Sequence, residues 1–390
     1  MSTELIVKHI PEDIDIKKFS SVLNNPSQCY KFYWLEAILQ LMRDTGNTVF
    51  RFEDIIDRMI ANAWYTVTMY HLHLGPGRID NANSDNVEAA VIALKSAAPG
   101  LSETAGKDEI IQAIHVYDKE LYYSKNELTK NVPYRLLSPF IKLKNKDWYN
   151  INLVIDEIEK TNQRIALPYV IVRSDKKALN NTIIIDSAWA EWFLLEYPLI
   201  IDWINYNKVV FLQGRNPEVP GIIYKLEPPG VRKLNDVKKL WKTVLEVENV
   251  IDIYTRKPLN EENYDIDHFV PWSYVAMDEI WDLIPAEKSF NTSKNNRLPE
   301  WNTYSRDYLD SQYLLYKHIF NYEEIHELFR KCQRHNLNSR WAIDQLYIPG
   351  HDEHQFKGIL EPNLRRVYDA AVIQGFSTWS GREVITDHTL

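Results

Sequence analysis

Apolar residues recur every three to four positions in two early stretches of the chain, and this period predicts amphipathic helices. The repeating positions are Phe32, Trp34, Leu35, Ile38, Leu39 and Met42, then Phe52, Ile55, Ile56, Met59 and Ile60. The same pattern predicts further helices over residues 87–97 and Lys107–Val116. Residues 1–130 are therefore expected to form a helical N-terminal region with apolar stripes that face a core.

The middle of the chain, residues 131–246, has a mixed pattern. Two β-branched runs, Tyr169–Val172 and Thr182–Ile185, flank a polar stretch, which predicts a β-hairpin. Residues 187–206 are apolar and aromatic, but charged residues and a proline interrupt them, so they do not predict a membrane span. They indicate either a buried helix pair or a surface for a partner. We expect a mixed α/β region that recognises a substrate or binds a partner.

Residues 264–270 alternate between apolar and polar and precede Pro271, which predicts a short strand. A second short strand is predicted over residues 281–284, ended by Pro285, and a helix over residues 286–294. Neighbouring residues of a regular strand point to opposite faces, so a bulge or the strand's end must turn Asp267 and His268 towards one site. Two strands and a helix would bring these two residues together with Asn291.

This combination of side chains suits the hydrolysis of phosphodiesters. The Asp267 carboxylate and the Asn291 amide supply the oxygen ligands that Mg²⁺ prefers, and such a metal acts as a Lewis acid on phosphate. His268, with an ordinary pKa of about 6.5, can accept a proton from water near neutral pH. Lys294 shares a helix face with Asn291 and is a candidate phosphate contact.

The runs from 264 to 271 and from 290 to 299 resemble the two ends of an HNH, or ββα-metal, nuclease, and are most similar to the HNH domain of the RNA-guided CRISPR effector nuclease. The resemblance rests on Tyr-Asp-x-Asp-His-x-Val-Pro, then Asn-x-x-Lys and an aliphatic residue before Pro299, and covers residues 253–299. It implies Asp267 and Asn291 as ligands of Mg²⁺ or Mn²⁺ and His268 as the general base. Asp282 stands where the family usually has its middle Asn, which supports the His-bearing loop, and an ionised Asp accepts but cannot donate hydrogen bonds.

Charge limits where DNA could bind. The formal net charge is −9, and residues 252–299 carry nine acidic residues against five basic ones. Because phosphate contacts by Lys and Arg supply most non-specific affinity for DNA, a DNA-binding surface must be local. The densest basic stretch precedes the nuclease motif and consists of Lys225, Arg232, Lys233, Lys238, Lys239 and Lys242. A second follows it and consists of Arg330, Lys331, Arg334 and Arg340.

The two cysteines, Cys29 and Cys332, lie far apart and exclude a cysteine zinc site within this chain. The first residues lack a signal-peptide pattern, so a cytoplasmic protein without a membrane segment is expected. The predicted fold class is α+β: a mainly helical chain with a small mixed middle segment, a ββα-metal motif near the C-terminus at 247–300, and a helical extension over 301–390.

These predictions favour a metal-dependent HNH endonuclease that hydrolyses DNA. The resemblance implies a bacterial restriction or anti-phage effector, with a partner protein or a second copy bound through the N-terminal region. The alternative is an HNH-fold subunit with weak catalysis that binds nucleic acid or assembles a larger complex.

Overall fold

The structure, a computed structural model, describes residues 13–76, 85–228, 230 and 232–381. The N-terminal residues on which the expectation of a cytoplasmic location rests lie outside this part of the chain. Two compact units divide the chain, Met1–Pro217 and Glu218–Leu390. Both are mainly helical with small sheets, consistent with the predicted α+β class. No helix in the described residues has the length and apolar character needed to cross a membrane.

The first unit contains ten α-helices and three short strands among its described residues. The helices are α1 (Ile16–Phe19), α2 (Tyr30–Thr45), α3 (Phe52–Thr68), α4 (Asn86–Ala97), α5 (Lys107–Val116), α6 (Asp118–Leu128), α7 (Val132–Arg135), α8 (Ile151–Asn162), α9 (Ser187–Leu195) and α10 (Tyr197–Arg215). The strands are β1 (Val49–Arg51), β2 (Tyr169–Val172) and β3 (Thr182–Ile185). Short 3-10 helices span Asn145–Tyr149 and Ala178–Asn180.

The predicted hairpin is confirmed, and it joins a strand from the N-terminal region. β2 and β3 pair antiparallel, and β1 adds on the other side of β3. The middle segment therefore completes a sheet begun near residue 50. The first compact unit extends to Pro217, within the segment 131–246, and the domain boundaries expected from the sequence remain predictions.

Aromatic side chains fill the core beside α9. Phe19 packs against Trp189, Trp192 and Phe193 with ring centroids 5.3–5.5 Å apart. α9 begins where the Asp186 carboxylate accepts hydrogen bonds from the backbone N–H groups of the first turn, which satisfies donors that lack intrahelical partners. The stretch 187–206 thus forms two successive helices with one face buried, as the first of its two interpretations held.

The second unit contains the predicted nuclease motif. Its helices are α11 (Asn235–Val247), α12 (Trp272–Val275), α13 (Lys288–Lys294), α14 (Trp301–Asn321), α15 (Glu323–Asn336) and α16 (Glu353–Ile373), with 3-10 helices at Ile222–Tyr224 and Ile280–Asp282 and a π-helix at Ala342–Leu346. Its strands are β4 (Tyr264–His268), β5 (Leu283–Glu287), β6 (Leu298–Pro299) and β7 (Thr378–Trp379).

Two details of the motif differ from the prediction. Pro285 does not end the second strand but lies inside β5, which spans 283–287. β5 pairs with β4 alone, so a residue without an N–H is tolerated in this two-stranded sheet. The motif is also not near the C-terminus, because α14, α15 and α16 follow it and pack into the same unit.

Candidate functional site

The site is built on β4, β5 and α13. β4 and β5 pair in an unbroken antiparallel register from Tyr264 opposite Glu287 to His268 opposite Leu283. We expected either a bulge or the end of the strand to turn Asp267 and His268 towards one site. β4 contains no bulge, and the strand ends at His268. Glu287 ends β5 and caps α13 by accepting hydrogen bonds from the N–H groups of Ser289 and Phe290, so the helix begins directly after the strand.

Asp267 is buried, and both of its carboxylate oxygens accept hydrogen bonds. Oδ1 lies 2.9 Å from the Lys294 Nζ, and Oδ2 accepts a hydrogen bond from the Tyr254 hydroxyl at 2.5 Å. Tyr254 comes from the segment before β4, while Lys294 ends α13. The carboxylate is thus fixed from two sides, and part of its lone-pair capacity remains for another ligand.

His268 is only 3% exposed. Its Nε2 lies 3.1 Å from Oδ1 of Asp278, and both atoms are buried without any other hydrogen-bond partner among the described residues. Burial lowers the pKa of His268 below its ordinary value, and Asp278 opposes that effect. A neutral imidazole near neutral pH is the form that a general base requires.

Asp282 supports the segment that follows His268. Its main-chain oxygen accepts a hydrogen bond from the Phe269 N–H, and its Oδ1 accepts one from the Val270 N–H, both at 2.9 Å. The side chain is fully buried, and burial raises its pKa well above the usual range of a carboxyl group. Both contacts use acceptor atoms of Asp282, so the segment is held here without the donor that an Asn side chain would add. Oδ2 has no hydrogen-bond partner in the described part of the chain.

The two predicted residues of α13 differ in their surroundings. Lys294 is 1% exposed, and its amino group donates to Asp267 and to the main-chain oxygen of His268 at 2.8 Å. The expectation that Lys294 contacts phosphate does not fit this geometry, because the side chain runs inward from the end of the helix to β4. Asn291 lies one turn earlier and is partly exposed, so its amide is accessible at the surface of α13.

The comparison with protein families agrees with this geometry. A family model described as HNH endonuclease matches residues 252–300. The match contains β4, β5 and α13, and it confirms the predicted HNH motif at nearly the predicted bounds. The rest of the chain lies outside the match. The searches of curated proteins and of solved structures found no match.

The side chains of the HNH motif determine whether a divalent cation fits there. No group of three or more His, Cys, Asp or Glu side chains in the described residues has the geometry of a metal site. An HNH cation would instead depend on the Asp267 carboxylate and the Asn291 amide oxygen, with water and phosphate completing its coordination. α13 packs against both strands, which places Asn291 on the element next to Asp267. The oxygen-rich donor set fits Mg²⁺ or Mn²⁺.

Most of the basic stretch that precedes the motif lies at the surface of the second unit. Arg232 and Lys233 are exposed, as are Lys238, Lys239 and Lys242 on the outer face of α11. Arg232 lies over the Trp272 ring at 5.4 Å, on the helix that follows His268. The buried face of α11 carries Val237, Leu240, Trp241 and Val244.

The prediction that Lys225 belongs to a DNA-binding basic surface is wrong. Its side chain is fully buried, and its amino group donates to the main-chain oxygens of Ser273 and Tyr274. Burial lowers its pKa to about 7. A lysine in this position supports α12 from inside and cannot contribute to a DNA-binding surface.

The sequence did not reveal the residues that contact the site but lie outside the two ends of the motif. Tyr254 binds Asp267, and Asp278 lies beside His268. Gln312 of α14 donates to the main-chain oxygens of Ile280 and Leu283. The Tyr254 hydroxyl, the Asp278 carboxylate and the Gln312 amide are too far apart in the sequence to form a recognisable local pattern. The available signal was that Asp278 and Glu279 are the two acidic residues in the mostly apolar stretch between the two predicted strands.

Proposed function

We propose that this chain is a metal-dependent endonuclease that hydrolyses phosphodiester bonds of DNA. The observation that carries the proposal is the placement of Asp267 and His268 at the end of β4, next to α13 with Asn291, inside the residues that match the HNH endonuclease family. The chemistry of these three side chains suits hydrolysis of a phosphodiester.

Asp267 and Asn291 would hold the cation, which when bound supplies a Lewis acid to the phosphate. Tyr254 and Lys294 fix the Asp267 carboxylate, so its orientation does not depend on the cation alone. Such preorganisation reduces the cost of arranging the site during the reaction.

His268 would accept the proton of the attacking water. Its burial keeps the imidazole neutral to lower pH than an exposed His, so it can accept a proton near neutral pH. Asp282 holds the backbone immediately after the ring through the N–H groups of Phe269 and Val270. The base is therefore attached to a segment with little freedom to move.

Phosphates of the DNA would lie along the exposed basic residues Arg232, Lys233, Lys238, Lys239 and Lys242. Lys238 pairs with Asp265 at 2.8 Å and Lys242 lies 3.8 Å from Glu246, and all four side chains are exposed. Exposed pairs of this kind contribute little to stability, so phosphate can replace the carboxylates at small cost.

Incubation of the full-length protein with supercoiled plasmid tests the function. We expect nicking or linearisation with Mg²⁺ or Mn²⁺ and none with EDTA. Asp267→Asn keeps the size of the side chain and should weaken Mn²⁺ binding in calorimetry, as should Asn291→Ala. Asp310→Asn, an exposed position on α14, is the matched control. Equal metal affinity in both site variants and in the control would contradict the assigned ligands.

One observation favours the alternative of an HNH fold that binds nucleic acid with weak catalysis. The Lys294 ammonium already supplies a positive charge to Asp267, which is the role expected of a cation. Plasmid that is bound but left uncut under all metal conditions would support this alternative. A restriction or anti-phage role remains a prediction from the resemblance.

A further inference from the structure

A carboxylate that is 13% exposed lies beside the candidate base, outside the residues expected to carry the chemistry. Oδ1 of Asp278 is 3.1 Å from Nε2 of His268. Both atoms are buried, and each lacks another hydrogen-bond partner among the described residues. Because an unpaired buried polar atom is costly, these two atoms are each other's natural partners.

Hydrogen bonds from a buried side chain fix the position of Asp278 along the chain. The Asn336 side chain, at the end of α15, donates to the main-chain oxygen of Asp278 at 2.9 Å and to that of Lys233 at 3.3 Å. Asn336 is 1% exposed. The bond ties the Asp278 backbone to a helix that lies outside the HNH motif.

The next residue, Glu279, provides a second anchor. Its buried carboxylate accepts hydrogen bonds from the backbone N–H groups of Asn338 and Ser339 and from the Trp281 indole N–H, at 2.9–3.1 Å. A carboxylate with several donors is expensive to release, since its charge would then remain buried without compensation. Hydrogen bonds at Asp278 and at Glu279 therefore hold this segment in place.

We propose that Asp278 is a positioning residue for His268: it accepts the Nε2–H of the imidazole and so leaves Nδ1 as the nitrogen that takes the proton from water. This inference rests on the proposed function of His268 as the base. A His ring has two distinct nitrogens, and the partner of one determines the state of the other. No proton is transferred to Asp278, which fixes the ring and its tautomer.

A second interpretation of the same contact is that Asp278 blocks the site. A carboxylate beside the base would repel a phosphate and would have to leave before DNA could bind. The two anchors at Asn336 and Glu279 oppose this interpretation, because a blocking residue must move and this segment is held by hydrogen bonds of two buried side chains. The two interpretations predict opposite effects of removing the carboxylate.

The test uses the full-length protein with Asp278→Ala and with Asp278→Asn, which preserves the side-chain size in case the Ala variant does not fold. Loss of a group that orients a functional His typically costs roughly 10- to 100-fold. We expect kcat for plasmid cleavage to fall by roughly that factor in both variants, with KM nearly unchanged. Asp310→Ala should cleave at the wild-type rate. A rate equal to wild type or higher would overturn the proposal, and a higher rate would identify Asp278 as a block.

A spectroscopic measurement separates this proposal from the nuclease function itself. Nitrogen-15 shifts of the His268 ring, assigned by comparison with His268→Ala, should show the Nε2–H tautomer for the neutral ring of the wild type. Asp278→Ala should lose that preference. A neutral ring with the proton on Nδ1, or an unchanged tautomer in the variant, would overturn the inference even if the protein cuts no DNA.

Discussion

The two units of the chain bury ionisable groups in different ways. In the first unit, the Lys125 amino group lies within 3.1 Å of carboxylate oxygens of Glu53, Asp57 and Asp118. In the HNH motif, His268 has one carboxylate beside it, with 3.1 Å between its Nε2 and Oδ1 of Asp278. Buried polar atoms without a hydrogen-bond partner among the described residues occur in both units, so the contrast is in how many opposite charges surround a buried ionisable group.

The number of opposite charges around a buried ionisable group determines what its substitution affects. A buried lysine with several carboxylates stays charged and cannot be changed without loss of stability, which is typical of a structural network. Among the described residues His268 has a single neighbouring carboxylate, and its proposed role is to exchange a proton. We therefore expect substitutions at Lys125 to affect folding and substitutions at His268 to affect catalysis.

The largest expected effect is in the motif. His268→Ala should reduce plasmid cleavage by roughly 10²-fold or more, because a general base contributes to the transition state and little to the affinity for DNA. The thermal midpoint and DNA affinity should stay near wild type. Cleavage within a few-fold of wild type would remove His268 from the mechanism and weaken the comparison.

The matching change in the first unit is Lys125→Met. It leaves Asp57, which is 4% exposed, without its main counter-charge, and we expect a loss of about 3 kcal/mol in the free energy of unfolding of that unit. Lys130→Met is the control, since Lys130 pairs with Glu127 at the surface and should cost at most about 1 kcal/mol. Urea unfolding measures both. Equal losses in the two variants would show that the Lys125 network is not what stabilises the unit.

A third test concerns the exposed lysines of α11. Replacing Lys238, Lys239 and Lys242 with Gln should weaken DNA binding and flatten the dependence of log affinity on log salt by up to roughly two to three units. Titrations at several salt concentrations measure the slope. An unchanged slope would place the DNA elsewhere, with the cluster from Arg330 to Arg340 or a partner as the next candidate.

The smallest effect concerns Lys225. Burial lowers its pKa to about 7 from the ordinary value of 10.5, whereas burial of Lys125 is outweighed by its carboxylates, which raise the pKa. Between these pH values the unfolded chain binds a proton at Lys225 that the folded chain does not, so its contribution to stability rises with pH.

We therefore expect the free energy of unfolding of the second unit to rise less between pH 7 and pH 9 in Lys225→Met than in wild type, by about 1–2 kcal/mol. Urea unfolding at the two pH values provides the measurement, with Lys239→Met as the exposed control. The same pH dependence in wild type and Lys225→Met would mean that Lys225 stays charged when buried.

The sequence predicted local features well because they depend on local patterns. The hairpin at Tyr169–Val172 and Thr182–Ile185, helix α5 and the order of strand, strand and helix in the motif all follow from alternation, helical period and bounding polar residues. Pro285 misled the prediction because its tolerance depends on β5 pairing on one side only, which is a property of the sheet rather than of the sequence.

The tertiary contacts were not predictable in the same way. Lys225 and Lys294 have the same side chain as the exposed lysines of α11, and only the fold shows that both are buried. Asp278 and Tyr254 acquire their roles through contacts with His268 and Asp267 across 10 and 13 positions. Such pairs require the turn of the chain between them, and a single sequence does not specify it.

The hydrogen bonds from Gln312, Asn336 and the backbone after Asn336 to residues 278–283 have an evolutionary consequence. The segment between the two strands takes its support from helices that follow residue 300. A recombination event that transferred only residues 252–300 to another protein would move the candidate ligands and the base without the groups that hold them. The structural unit that holds the candidate site therefore extends beyond residues 252–300 into the helices that follow.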